Sequence, residues 1–142
     1  MSKIAVVYWS GTGNTEAMSN AVVEGIKSAG VDVDLFQVDD FKADDMANYS
    51  GFAFGCPAMG DEVLEEDSFE PFFADAESKL DGAPVVLFGS YGWGGGAWME
   101  AWAERTKDAG AKLIGTVISE NAPDDDVLAD CKKNGAALAK EV

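Results

Sequence analysis

The sequence predicts an α/β fold in which a single parallel β-sheet is covered by helices on both faces. Short apolar runs alternate along the 142-residue chain with amphipathic segments, and repeated strand–helix units produce parallel strands. Three apolar runs do not alternate apolar with polar residues, which is typical of strands buried on both faces of such a sheet. They are residues 3–9, 51–56 and 85–89. The length fits one domain spanning residues 1–142.

The remaining elements follow from periodicity and from residues that end helices. Residues 31–38 alternate apolar and polar with a period of two, which predicts a half-exposed edge strand, and residues 112–118 form the fifth predicted strand. The four predicted helices cover residues 14–29, 69–80, 98–109 and 125–141. Gly30 and Gly110 follow the first and third of them, where helices commonly end. A short helical turn is predicted at residues 44–47.

Composition and charge exclude several function classes. The 26 acidic and 10 basic residues give a net charge of −16, which disfavours nucleic acids and anionic membranes and favours basic protein surfaces. The chain has no histidine, which removes the commonest general base and most zinc sites, so we predict no catalytic residue and no metal ligand. Cys56 and Cys131 match no metal or redox motif and are predicted to be buried apolar residues.

The segment between the first strand and the first helix has the composition of a phosphate-binding loop. Its residues are Ser10, Gly11, Thr12, Gly13, Asn14 and Thr15. A helix N-terminus offers unpaired N–H groups and the positive end of the helix dipole, and glycines let the backbone approach a ligand. Because no Lys or Arg lies between Lys3 and Lys27, a phosphate bound here would keep its negative charge.

The same segment limits which class of phosphate compound could bind to it. The dinucleotide fingerprint requires a third glycine where this chain has Glu16, and the Gly-Lys-Ser/Thr sequence of P-loop NTPases is absent. A monophosphate ester remains, and the alternative is a tight strand–helix turn that binds no ligand.

Two further loops follow inner strands and should lie at the same edge of the sheet, where sheets of this kind bind ligands. Residues 57–67 form an unusually long connection that contains Met59, and residues 90–96 form a glycine-rich loop that contains Trp93. Met59 and Trp93 would cover the two faces of a flat aromatic ligand, although Trp93 as an isolated surface aromatic is the alternative.

The three loop sequences resemble the FMN-binding loops of the flavodoxin family. They are SGTGNT at residues 10–15, GCPAMGDE at residues 55–62 and GSYGWG at residues 89–94. The resemblance covers essentially the whole chain, and the uninterrupted fifth strand is similar to that of the short-chain flavodoxins of anaerobic bacteria. It implies a doubly wound five-stranded sheet with strand order 2-1-3-4-5 and FMN as the cofactor.

The resemblance implies how the loops would hold the cofactor. Residues 10–15 would bind the FMN phosphate, Met59 would lie on the inner face of the isoalloxazine ring, and Trp93 would stack on its outer face. Asn121 would lie near the ribityl chain or the ring edge. Pro57 stands where some family members have a serine that contacts the ribityl chain, so that contact is not expected here.

Backbone groups would contact the redox-active edge of the ring. The peptide between Gly60 and Asp61 would face flavin N5, and Glu62 would accept a hydrogen bond from N3. The N–H groups of Gly92 and Gly94 would approach N1 and the C2 oxygen. The implied cofactor-binding set is completed by Ala58, Ser90 and Tyr91.

Such a site implies a low-potential one-electron carrier that cycles between a neutral semiquinone and an anionic hydroquinone. A Gly60-Asp61 peptide that flips would accept a hydrogen bond from protonated N5 and stabilise the semiquinone. The phosphate and nearby carboxylates, including Glu65, Glu66 and Asp67, would disfavour the hydroquinone anion and lower the second potential. We expect these three acidic residues to form a solvated rim that docks on basic patches of redox enzymes.

The resemblance implies 2-oxoacid oxidoreductases, hydrogenases and ferredoxin–NAD(P) reductases as partners. We expect the protein to be a cytoplasmic monomer that binds neither nucleic acid nor membrane. The main alternative is an FMN-dependent NAD(P)H oxidoreductase on the same fold. That enzyme would need the space that Trp93 covers and basic contacts that the three loops lack. A receiver-type signalling domain would need acidic residues where this chain has Trp9 and Ser10, and a non-redox FMN store stays open.

Overall fold

The computed structural model describes residues 3–59, 63–92 and 95–142, which contain a five-stranded parallel sheet. Its strands are β1 (Lys3–Tyr8), β2 (Asp32–Gln37), β3 (Gly51–Gly55), β4 (Pro84–Tyr91) and β5 (Lys112–Glu120). Their spatial order is β2-β1-β3-β4-β5, which confirms the expected topology and the edge position of the alternating strand. The predicted site residues Gly60, Asp61, Glu62, Trp93 and Gly94 lie outside the described residues.

Helices connect most pairs of consecutive strands. Within the described residues they are α1 (Asn14–Ser28), α2 (Phe69–Glu77), α3 (Ala97–Asp108) and α4 (Asp125–Ala139). Two short 3-10 helices, Val38–Asp40 and Ala43–Asn48, lie between β2 and β3. The second contains the predicted helical turn, whereas the first, at three residues, is too short to leave a periodic pattern in the sequence. None of these described helices is both long and apolar enough to cross a membrane.

The sheet separates two apolar cores. Helices α1 and α4 pack on one face together with Ile4 and Val6 of β1, and α2 and α3 pack on the other face together with Ala5. Every residue of β3 is buried, as are the first seven residues of β4, which confirms the prediction of buried inner strands. Cys56 and Cys131 are free thiols buried in these two cores, as predicted.

The last two strands extend further than the apolar pattern predicts. Strand β4 continues through Ser90 and Tyr91, which were expected in the glycine-rich loop, and β5 continues to Glu120. The two extensions pair with each other, Ser90 opposite Ser119 and Tyr91 opposite Glu120. Backbone pairing therefore carries both strands past the end of their apolar runs, where side-chain hydrophobicity gives no signal.

Candidate functional site

The loops that follow β1, β3 and β4 meet in a cleft of about 280 Å³ at the C-terminal edge of the sheet. The described residues that line it are Trp9, Gly11, Thr12, Asn14, Pro57, Ala58, Met59, Ser90, Tyr91, Gly92 and Asn121. The structure thus brings residues of all three predicted loops together with Asn121, which follows β5.

The first loop presents a helix N-terminus to this cleft. Gly13 immediately precedes α1 and has a φ of 94°, a left-handed conformation that favours glycine. Gly13 has no side chain that could cap α1, and the Ser10 hydroxyl accepts the N–H groups of Gly13, at 3.1 Å, and of Glu16 in the first turn of the helix, at 3.3 Å. A helix N-terminus suits an anion because its first N–H groups point out of the helix and carry the positive end of the dipole.

Three residues of the predicted phosphate loop shape it without lining the cleft. Ser10 and Gly13 form the turn just described, and Thr15 is buried. The Thr15 and Ser90 hydroxyl oxygens lie 3.3 Å apart in the interior, and either can donate to the other. Thr15 therefore links the first loop to the end of β4.

The second loop begins as an extension of the sheet. The N–H of Cys56 donates to the carbonyl of Phe88 at 3.1 Å, and the N–H of Ala58 donates to the carbonyl of Ser90 at 3.0 Å. Met59 then pairs with Val63 through two backbone hydrogen bonds of 2.8 and 3.1 Å. Residues 60–62, whose ends this bridge fixes, lie outside the described part of the chain.

Glu65 contradicts the expectation of a solvated acidic run. It is buried, and its carboxylate accepts the backbone N–H groups of Asp67, Ser68 and Phe69 at 2.8–2.9 Å, at the start of α2. Burial alone would raise the pKa of Glu65, but these three N–H donors outweigh it and lower the pKa below its usual value. Only Glu66 and Asp67 of the run are exposed, because Glu65 is needed to cap the helix.

Asn121 adopts an unusual backbone conformation beside the third loop. Its φ is 60°, the one positive value among the described non-glycine residues, and asparagine tolerates it better than most residues. Its N–H donates to the carbonyl of Tyr91 at 2.7 Å, and its own carbonyl accepts the Ser119 hydroxyl at 3.2 Å. These bonds fix Asn121 at the mouth of the cleft, next to Gly92.

Trp9 lines the cleft but was not among the predicted site residues. Its N–H donates to the carbonyl of Gly55 at 2.9 Å, which continues the β1–β3 pairing, and a β-carbon on Gly11 would come within 3.0 Å of its ring. The sequence signal was available, because a half-buried tryptophan directly between a buried strand and a glycine loop has few places to pack.

A larger depression of about 460 Å³ lies elsewhere, between the 3-10 segment and α2. Its lining is Phe41, Lys42, Ala43, Asp44, Phe72, Asp75 and Lys79. It lacks the N-terminus of an α-helix and the loop residues identified from the sequence, so size alone does not make it the functional site. Within residues 3–59, 63–92 and 95–142, no three acidic, cysteine or histidine side chains converge as metal ligands would.

Comparisons with known proteins agree with this geometry. The sequence model of the flavodoxin family matches residues 6–135. The chain belongs to the flavodoxin family. It is 51% identical over 137 residues to the flavodoxin of Megasphaera elsdenii, covering 96% of this chain and 98% of that relative. It is 45% identical over 135 residues to the flavodoxin of Clostridium beijerinckii, covering 94% and 97% of the two chains.

Solved flavodoxin structures superpose on the fold. The solution structure of the two-electron reduced Megasphaera elsdenii flavodoxin gives a TM-score of 0.90 and covers 96% of this chain and 98% of that chain. A flavodoxin from the domain Archaea, 30% identical, gives a TM-score of 0.85 and covers 97% and 96%. Flavodoxins are FMN-binding electron carriers, so the predicted cofactor is confirmed at the level of the family.

Proposed function

We propose that the protein is a low-potential one-electron carrier that binds one FMN non-covalently in the cleft and is not itself an enzyme. The observation that carries the proposal is the combination of a cation-free helix N-terminus with apolar walls, supplied by Trp9, Met59 and Tyr91. A helix N-terminus suits the phosphate, and the aromatic and thioether side chains suit a flat ring. FMN, when bound, supplies the capacity to accept and release electrons one at a time.

The proposed cofactor-binding residues are those implied by the resemblance. They are Ser10, Gly11, Thr12, Gly13, Asn14, Thr15, Pro57, Ala58, Met59, Gly60, Asp61, Glu62, Ser90, Tyr91, Gly92, Trp93, Gly94 and Asn121. Ten of them line the cleft, and Trp9 joins them as an additional wall. Gly60, Asp61, Glu62, Trp93 and Gly94 keep the roles that the resemblance gives them.

Two features of the chain support a low second potential. The phosphate would be bound by neutral N–H and hydroxyl dipoles, since no Lys or Arg lies between Lys3 and Lys27, so its charge would stay unneutralised. The buried Glu65 keeps its charge at neutral pH because three backbone N–H groups stabilise it. Both charges would oppose the addition of a second electron, which supports cycling between the neutral semiquinone and the anionic hydroquinone.

A backbone bridge joins Met59 and Val63, the described residues on either side of residues 60–62. In the resemblance these are the residues that face flavin N5 and N3. The proposal keeps a change in the orientation of the Gly60-Asp61 peptide on reduction of the flavin, as the resemblance implies.

Charge at the cleft edge supports basic redox enzymes as partners. The connections after β1, β3, β4 and β5 contain no Lys or Arg, and Glu66, Asp67, Glu120 and Asp124 are exposed there. Such a surface would steer encounter with basic patches and give weak, salt-dependent docking. We propose that the carrier is a monomer. Its partners would be redox enzymes of the 2-oxoacid oxidoreductase, hydrogenase and ferredoxin–NAD(P) reductase classes.

Ligand titration of the apoprotein tests this function. Apoprotein titrated with FMN and, in parallel, with riboflavin should bind FMN more tightly, because riboflavin lacks the phosphate. Adding NADH alone to the loaded protein should leave the flavin colour unchanged. Equal affinity for the two flavins would contradict the phosphate site, and rapid bleaching by NADH would favour an NADH-dependent oxidoreductase.

A further inference from the structure

Two tryptophans of α3 lie one helical turn apart and differ in the hydrogen bonding of the indole N–H. Trp98 and Trp102 are each only 2% exposed. The indole N–H of Trp98 donates to the backbone carbonyl of Cys56 at 3.2 Å. Among the described residues, the indole N–H of Trp102 is the one buried side-chain polar group without a hydrogen-bond partner.

The acceptor of the Trp98 hydrogen bond lies at the base of the second cofactor loop. Cys56 is the first residue after β3, three residues before Met59, and its N–H is bonded to the Phe88 carbonyl of β4. The backbone of Cys56 is therefore held on one side by the sheet and on the other by α3. A β-carbon on Gly89 would approach the Cys56 carbonyl oxygen to 2.2 Å and the Trp98 ring to 3.1 Å, so these groups are in close contact.

Trp98 also contacts the last residue of β4, just before the third loop. Its ring centroid lies 5.5 Å from that of Tyr91, a cleft residue, at an interplanar angle of 48°. Trp102 packs instead edge-on against Phe69 and Phe73 of α2, at 5.5 and 5.7 Å. Trp98 thus touches the first residue of the second cofactor loop and the last residue of β4, whereas the ring of Trp102 packs on core aromatics of α2.

We propose that Trp98 is a positioning residue that holds the Cys56–Met59 backbone against β4 and so maintains the FMN site. This inference rests on the proposed FMN-binding function. The indole N–H donates to the carbonyl of the buried Cys56, and the ring packs against Tyr91, another residue that lines the cleft. Without that donor, the carbonyl would turn toward water or toward another donor, and the segment leading to Met59 would shift with it.

Removing the N–H while keeping an aromatic ring isolates this role. Trp98→Phe should weaken FMN binding about tenfold, the loss expected for one buried hydrogen bond. Trp102→Phe removes a similar volume from the same helix and should leave the FMN dissociation constant within about twofold of the wild type, since its N–H has no partner to lose.

The experiment compares the wild type, Trp98→Phe and Trp102→Phe in two measurements. The first is the FMN dissociation constant, by fluorescence quenching. The second is amide hydrogen exchange of the apoprotein, in which Trp98→Phe should accelerate exchange at Ala58 and Met59, whose N–H groups bond to Ser90 and Val63. The second measurement needs no bound cofactor. Thermal unfolding of both variants shows how much stability each loses when a buried tryptophan becomes phenylalanine.

The outcomes separate this inference from the function on which it rests. Failure of the wild type to bind FMN would overturn the proposed function, whatever the variants do. With FMN bound by the wild type, equal effects of the two substitutions, or unchanged affinity and exchange in Trp98→Phe, would overturn the role of Trp98. If Trp98→Phe does not fold, 3-benzothienylalanine can be placed at position 98 instead. This analogue replaces the N–H by sulfur in a ring of nearly the same shape. The same analogue at position 102 is the control, and the outcomes are judged in the same way.

Discussion

The two edges of the sheet differ in charge and in the structure of their connections. At the C-terminal edge, residues 9–13, 56–68, 92–96 and 121–124 contain no Lys or Arg and include the long loops of the cleft. At the N-terminal edge the connections are short, Lys3 and Lys112 begin strands, and Lys79 follows α2. The connections named at the C-terminal ends of the strands thus carry six of the 26 carboxylates with no Lys or Arg among them, so this side of the sheet is locally acidic.

The helices explain why one charge distribution serves both stability and function. In a parallel sheet with helical crossovers, helix N-termini face the C-terminal edge, where the positive ends of their dipoles favour carboxylates such as Glu65 and Asp124. Basic residues such as Lys27, Arg105 and Lys107 occupy the last turns, at the opposite edge. The carboxylates that stabilise helix starts are the same groups that would oppose a second electron on the flavin.

The largest loss of stability and FMN affinity should come from adding a β-carbon at Gly89, which packs against the start of the second loop. In Gly89→Ala the β-carbon would lie 2.2 Å from the Cys56 carbonyl, a backbone atom that cannot yield without moving the loop. We expect a loss of about 3 kcal/mol in unfolding free energy, at the upper end for overpacking, together with weaker FMN binding. Urea unfolding of the apoprotein and FMN titration measure the two effects.

The matched control lies at the other edge of the sheet. In Gly51→Ala the nearest atom to the new β-carbon is a Val142 methyl at 2.7 Å, the end of a side chain that can move. This variant should lose about 1 kcal/mol or less and bind FMN normally. A comparable loss of FMN affinity in both variants would argue against a special role for the C-terminal edge.

The buried Glu65 cap should produce a pH-dependent effect of intermediate size. Because the folded-state pKa of Glu65 is lowered, its contribution to stability is present above its ordinary pKa of about 4.3 and is lost as pH falls through the folded value. Glu65→Gln should therefore cost about 1.5–3 kcal/mol at pH ~7, the range for hydrogen bonds to a charged group. The difference from the wild type should shrink as the pH approaches ~3.

Denaturant unfolding across this pH range tests the cap. Asp124→Asn is the control, because the Asp124 side chain caps α4 from an exposed position, accepting the Val127 N–H at 2.9 Å, and asparagine is an equally good cap. A stability difference between Glu65→Gln and the wild type that is the same at both ends of the pH range would contradict a charged, hydrogen-bonded Glu65.

The smallest effect should appear in encounter rates. Neutralising Glu66 and Asp67 in Glu66→Gln/Asp67→Asn should slow electron transfer to a basic c-type cytochrome by about threefold at low ionic strength, through weaker steering. The difference should vanish near 1 M salt, where the screening length is only about 3 Å. Asp32→Asn/Asp108→Asn removes the same charge from exposed positions at the opposite edge. Equal slowing by both double variants would mean that net charge, and not its placement, governs the encounter.

Sequence reasoning succeeded where side-chain chemistry changes sharply along the chain. The apolar inner strands and the topology implied by the resemblance agree with the structure, and the predicted loop at residues 10–15 lies at the cleft, where phosphate binding stays a prediction. It failed where backbone pairing decides, as in Ser90 and Tyr91, which are polar or aromatic but pair with β5. No periodicity marks a strand that is extended by its neighbour.

Glu65 shows a different limit of the sequence. It stands between Leu64 and Glu66, and nothing in this run distinguishes a buried carboxylate from a solvated one. Only the position of three N–H groups at the start of α2 makes burial of this charge favourable. The Trp98 hydrogen bond was equally hidden, because it joins residues 42 positions apart.

An anaerobic reductive titration of the FMN-loaded protein tests the central claim most directly. Dithionite is added stepwise while absorbance is followed. A carrier whose two one-electron potentials are well separated should accumulate the blue one-electron-reduced flavin to nearly stoichiometric yield before the bleached form appears. Direct bleaching without the blue form would mean that both electrons enter together and would contradict the one-electron carrier.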